Sequence, residues 1–254
     1  VWLIGLGATQ VADGAAFSAL VKVAALAMAS TGTFLLIRSL GVGRPWALVG
    51  GLLAASTGFT VYIDAASWVT ALFVWSLLPW VLWGLRAVGL ERRNVLLAFV
   101  PGYLLITVGY VHGTLLLVTA VVGVLIETGL RRDRTAFIRA FIVSCLLGLV
   151  AIAVYLPGIL AAEVSVRDSQ EILNSNFMSP DLSGLASAAA PTGQPWLSGF
   201  WASPVSAPLM YVAWCLPALV LVDWRRVREV VLPLTSVFVV GLAAVALAFG
   251  PSEI

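Results

Sequence analysis

Apolar residues fill the chain in long blocks, and short polar connections separate them. A helix that crosses a bilayer needs about 20 mainly apolar residues. Eight blocks reach or approach that length: 15–37, 45–63, 66–85, 94–111, 113–130, 136–160, 204–222 and 229–249. The expected fold is all-α, a polytopic transmembrane helical bundle of about eight spans forming one domain over residues 1–254. The stretch 94–130 has two readings. A single helix there would be about 55 Å long, more than one crossing needs. Two short spans or a re-entrant hairpin fit instead, with a tight turn at Tyr110-Val111-His112-Gly113.

Composition agrees with the pattern and narrows the classes. Of the 254 residues, 61% are hydrophobic and 10% are charged, against about 25% charged in a soluble domain. The mean hydropathy is +1.05. A soluble enzyme needs a polar surface that this chain lacks. Two cysteines exclude a disulfide-stapled scaffold. The chain opens in apolar Val1-Trp2-Leu3-Ile4 without a charged leader, and it stops at Pro251-Ser252-Glu253-Ile254 just after an apolar block. Both ends read as cuts through a longer membrane domain.

The position of the charges orients the bundle. Twelve of the 14 basic residues fall on alternate connections: Arg38 and Arg44, then Arg86, Arg92 and Arg93, then Arg131, Arg132, Arg134 and Arg139, then Arg225, Arg226 and Arg228. The opposite connections hold only Arg167. Basic residues are retained on the cytoplasmic side. Residues 1–14, 64–65, 112, 161–203 and 250–254 are then expected outside the cell membrane. Trp46, Trp224, Trp68, Trp80 and Trp83 lie near span ends, as an interfacial aromatic belt would. Gly50, Ala54 and Gly58 recur every fourth residue, a small-residue face for close helix packing.

Candidate chemistry is sparse and faces outward. The one long polar stretch, 161–203, carries Glu163, Arg167, Asp168, Glu171, Trp196 and Trp201. Ser179-Pro180-Asp181 within it is a good helix start. The loop reads either as a connector with an interfacial anchor or as a lid that binds substrate. Lys22 is the single basic residue deep within a span, about 13 Å inside Asp13. Such a charge is costly and marks a functional candidate. Its alternative is a lysine that snorkels outward, paired with Asp13 or Asp64. Asp13 and Asp64 stand at outer span ends, where each serves either as a general base or as a helix cap or solvated turn residue. His112 sits in the tight outer turn, and one isolated histidine is a poor zinc signal. Cys145 and Cys215 read as small apolar residues within spans. The run Arg131-Arg132-Asp133-Arg134 is a topology signal that also attracts anionic lipid headgroups. No phosphate-cradling loop, metal-ligand pair or nucleic-acid motif occurs.

Several segments, taken in order, resemble the YfhO-like membrane proteins of the GT-C superfamily of polyprenyl-linked glycosyltransferases. They are Phe34-Leu35-Leu36-Ile37-Arg38-Ser39-Leu40-Gly41, Leu52-Leu53-Ala54-Ala55-Ser56-Thr57-Gly58-Phe59, Leu77-Leu78-Pro79-Trp80-Val81-Leu82, the outer Ser179-Pro180-Asp181-Leu182-Ser183-Gly184-Leu185 with Ala190-Pro191, Pro208-Leu209-Met210-Tyr211 and Ala248-Phe249-Gly250-Pro251. The arrangement is also similar to actinobacterial arabinofuranosyltransferase-type GT-C proteins. The resemblance covers most of the chain. It implies a GT-C-like fold, a polyprenyl-phosphate sugar donor, a glycan or lipid acceptor and an extracytoplasmic reaction in cell-envelope assembly. An acidic residue of the first outer loop would act as base, the place Asp13 occupies or that lies before Val1. Basic groups or a divalent metal would stabilise the leaving phosphate. On that footing Lys22 and Arg167 face the phosphate, and Glu163, Asp168, Glu171, Trp196 and Trp201 shape the acceptor cleft. Two other classes compete: a transporter or lipid flippase using Lys22 and the proline-broken spans, and a non-catalytic scaffold whose outer loop binds a partner.

Overall fold

A computed structural model describes residues 14–56, 69–160 and 234–240. All regular structure among the described residues is helical. Six helices follow in order: α1 Gly14–Ser39, α2 Arg44–Ala55, α3 Val69–Leu90, α4 Leu96–Thr107, α5 Val111–Leu130 and α6 Arg134–Leu160. Residues 234–240 form a further helical segment. Four helices are long and apolar enough to cross a membrane, over Gly14–Ser39, Thr70–Leu90, Gly113–Leu130 and Arg134–Gly158. These correspond to the expected spans 15–37, 66–85, 113–130 and 136–160. The expected span 204–222 lies outside the described residues. Of the spans 45–63 and 229–249, only α2 and the segment 234–240 are described.

The two-helix reading of 94–130 agrees with the structure, with a shift in position. At 12 residues, α4 is only about 18 Å long, short of a hydrocarbon core of about 30 Å. The break falls at 108–110, earlier than expected, where Gly109 takes φ +78°. That left-handed backbone suits glycine, which has no Cβ to clash. The backbone of His112 therefore belongs to the first turn of α5 and does not form the turn itself.

Helix α3 is the axis of the bundle. It packs against α1, α4, α5 and α6. Leu77, Val81, Leu85 and Val88 stand at helical spacing and are buried with Leu105 and Ile106 of α4, Val124 of α5 and Val143 and Leu147 of α6. The approach of α3 to α4 is closest at Gly84. A methyl group there would collide with the Leu97 carbonyl and come within 2.8 Å of the Ala98 Cα. Only glycine permits this separation. The packing of α2 on α1 runs through Gly50 against Ile37 and Gly51 against Ser30 and Phe34, so the small-residue contact uses adjacent glycines.

The outer helix faces are apolar and exposed. On α6, Phe137, Ile138, Phe141, Ile142, Leu149 and Ile152 are open. A water-soluble surface would not leave so long an apolar strip uncovered. In a bilayer the acyl chains cover it, and the strip costs nothing. Cys145 lies on this open face. Trp80 and Trp83 depart from the expected aromatic belt. Both are half-buried and stack edge to face with centroids 5.9 Å apart. The Trp80 indole donates to the Met28 carbonyl at 2.8 Å, which ties α3 to α1. An indole N–H inside a bundle needs an acceptor, and α1 supplies one.

Candidate functional site

Arg86 of α3, Arg131 just past the end of α5 and Arg139 of α6 lie at one end of the bundle. Arg139 of α6 donates to the Val88 carbonyl at 3.0 Å and the Arg93 carbonyl at 2.8 Å. These bonds satisfy carbonyls at the end of α3 and in the connection after it. Asp133 accepts from the Ala136 N–H at 3.0 Å and caps the start of α6.

Beneath this rim lies a buried charge cluster. Glu127 is fully buried near the C-terminus of α5. The helix dipole disfavours a carboxylate there, so cations are needed to hold it. Arg131, one turn further on, donates to Glu127 Oε1 through Nε at 3.2 Å and Nη2 at 2.9 Å. Arg86 of α3 donates from Nη1 to Glu127 Oε2 and is itself buried. Ser236 donates to the same Oε2 at 2.8 Å and accepts from Arg86 Nη1 at 3.1 Å. Arg86, Glu127 and Ser236 thus close a triangle that joins α3, α5 and the segment 234–240. Both Glu127 oxygens are occupied, so the carboxylate is engaged in holding helices together.

This geometry corrects the sequence expectation for Arg86. The arginine belongs to α3, four residues before its end, and is not a solvated charge on a connection. The signal that could have shown it is Glu127. An acid inside an apolar helix demands a partner. Arg131 at i+4 meets half of that demand, and Arg86 is the cation of the preceding long span at matching depth.

At the other sequence-predicted location, Lys22 lies within α1 and is half-buried. The buried residues of α1 are Ala25, Ala29, Gly32 and Leu36, spaced 4, 3 and 4 apart. Lys22 stands 3 residues before Ala25 and extends that same stripe. The ammonium stem therefore starts from the helix face that packs into the bundle, which counts against a purely outward lysine. Among the described residues, no ion pair includes Lys22. Asp13, Asp64, Glu163, Arg167, Asp168, Glu171, Trp196 and Trp201 lie outside the described residues, as does Cys215. Among the described residues no group of three or more His, Cys, Asp or Glu side chains forms a metal-binding set.

The described residues form a helical bundle with four helices long and apolar enough to cross a membrane, a buried arginine–carboxylate clamp at one end and a half-buried lysine in α1. The chain matches no protein-family model, no curated protein and no solved structure.

Proposed function

We propose that the protein is a membrane-embedded glycosyltransferase of the GT-C type. It moves a sugar from a polyprenyl-phosphate carrier to a cell-envelope glycan or lipid on the extracytoplasmic side. The observation that supports this reading is Lys22, a cation on the bundle-facing stripe of α1. The order of the sequence segments named above supports it independently. The arginine-rich end faces the cytoplasm under the positive-inside rule, and the loop 161–203 lies opposite.

In this reading Asp13 takes the proton from an acceptor hydroxyl, with Asp64 as the second carboxylate at the same surface. The hydroxyl oxygen attacks the anomeric carbon, and the bond from that carbon to the phosphate oxygen breaks. Lys22 and Arg167 offset the charge that develops on the departing polyprenyl phosphate. A divalent metal is the alternative source of that charge. Glu163, Asp168, Glu171, Trp196 and Trp201 hold the acceptor. The test is sugar transfer by the purified protein in liposomes holding a polyprenyl-phosphate sugar. Asp13→Asn and Lys22→Ala are each expected to abolish turnover, and unchanged turnover in both refutes the assignment.

One observation favours a second reading, a transporter or lipid flippase. Arg86 and Glu127 place charge inside the spans, and Pro79, Pro101 and Pro157 lie inside three helices, each removing a backbone donor. Substrate movement across liposomes without any sugar transfer selects that reading.

A further inference from the structure

The connection between α5 and α6 borders an open groove of about 480 Å³. Arg132, Arg134, Thr128, Gly129, Phe137 and Ile138 line it, with Asp133. We propose that this groove binds the headgroup of an anionic glycerophospholipid, with the acyl chains lying along the open face of α6. The proposal concerns the arginine-rich end and does not rest on the glycosyltransferase reading.

Three observations carry it. The first is charge. Of the cations at this turn, Arg131 is engaged by Glu127 and Arg139 by backbone carbonyls. Among the described residues, neither Arg132 nor Arg134 enters an ion pair. Asp133, the one acid of the groove, caps Ala136. Two exposed guanidiniums therefore face the groove without a carboxylate partner, and guanidinium matches phosphate oxygens well.

The second observation is the backbone. Arg132 adopts φ +57°. A branched or long side chain gains nothing from the left-handed region, and glycine or asparagine would fit it with less strain. A residue held there is a pointer to function. The strain is compatible with an arginine kept for its charge.

The third observation is the wall. Phe137 and Ile138 are exposed, and the strip continues through Phe141 and Ile142. The rings of Phe137 and Phe141 stack with centroids 6.2 Å apart. A free phosphate would use the arginines and leave this strip bare. An acidic peptide would have to lie against helix surface that belongs to the hydrocarbon region. Only an amphiphile fits both the cationic mouth and the apolar track.

The test uses the purified protein in detergent micelles, with retention of phosphatidylglycerol and phosphatidylcholine read by native mass spectrometry. Phosphatidylglycerol is expected to bind about 30-fold more tightly, from about fivefold per arginine close to an anionic headgroup. The combined variant Arg132→Gly with Arg134→Gln should lose that preference and retain phosphatidylcholine binding. Arg132→Gly alone should lose about fivefold while matching or exceeding the heat resistance of the parent, because glycine relaxes the turn. That single variant keeps the test valid if the double variant fails to fold. Equal binding of the two lipids by the parent overturns the proposal. So does unchanged phosphatidylglycerol binding in Arg132→Gly. Full displacement of phosphatidylglycerol by millimolar inorganic phosphate would show a free-anion site and overturn the lipid assignment.

Discussion

Replacing Glu127 with glutamine should destabilise the bundle more than any other conservative change at its arginine-rich end. The side chain keeps its size, so packing is preserved and only the charge is lost. The substitution takes from Arg86, whose side chain is 4% exposed, the buried carboxylate that its Nη1 bonds. Removing one partner of a buried pair costs about 3–5 kcal/mol, because the other charge stays desolvated. The share of Arg131 is small: its side chain is 30% exposed, and an i,i+4 pair contributes about 0.5 kcal/mol. Ser236→Ala removes one hydrogen bond to a charged acceptor and should cost about 1.5–3 kcal/mol. The double variant Arg86→Met with Glu127→Leu removes both buried charges, and similar pairs replaced by apolar residues lie near neutral or gain about 1–4 kcal/mol. The assay is reversible unfolding of the purified protein in mixed micelles, followed by helical circular dichroism. The expected order of stability places the double variant at or above the parent, then Ser236→Ala, then Glu127→Gln. Parent-like stability in Glu127→Gln would refute the buried clamp. A double variant as unstable as Glu127→Gln would refute the desolvation argument.

Three further outcomes follow from single contacts. Tyr155→Phe removes a hydroxyl that accepts from Thr114 at 3.0 Å and donates to the Ile106 carbonyl at 3.1 Å, and it should cost about 1–2 kcal/mol in the same unfolding assay. Gly84→Ala places a methyl group against the Leu97 backbone and should cost more than about 1 kcal/mol, whereas Gly148→Ala, with open space around it, should stabilise or leave the helix unchanged. Arg92→Gly, at φ 55° in an exposed turn, should raise stability by about 0.5–1 kcal/mol in the same unfolding assay, and a loss of stability would show that the arginine is held there by a favourable contact.

The helices were legible because the bilayer imposes one length and one composition on every span. Gly14–Ser39, Thr70–Leu90, Gly113–Leu130 and Arg134–Gly158 answer to that rule directly. The placement of α4 was less legible. Its apolar run continues past Thr107, and the stop depends on a left-handed glycine at 109, a backbone property that hydropathy does not record. The role of Arg86 was illegible for a related reason. Span ends drawn from hydropathy stop at the first charge, so an arginine that continues a helix reads as a connection. Trp80 shows the same effect, since proximity to Arg86 suggested an interface while its indole serves α1. Of the candidate outer site, the described residues reach only Lys22. The stripe of Ala25, Ala29, Gly32 and Leu36 was present in the sequence, yet small residues carry a weak periodic signal, and only their burial shows which face they form.

Lys22 separates stability from activity in a way that decides its role. A charged side chain within a span costs about 2.5–3.5 kcal/mol at the centre of the bilayer and less toward its edge. Lys22 is half-buried, about 12 Å from the start of α1, so part of that cost is realised. If the lysine served only to hold the bundle through an ion pair, Lys22→Met would strip a partner from a carboxylate and lower stability. If it is held ready for a phosphate, the resting protein bears its desolvation without return. Lys22→Met should then raise stability by about 1–2 kcal/mol and abolish sugar transfer together, the trade expected of a strained functional group. Lys22→Arg should keep the charge and part of the activity while leaving stability near that of the parent. Unfolding in micelles and transfer in liposomes are read on the same preparations. A methionine variant that is both less stable and fully active would remove Lys22 from the site and, with it, the observation on which the glycosyltransferase reading stands.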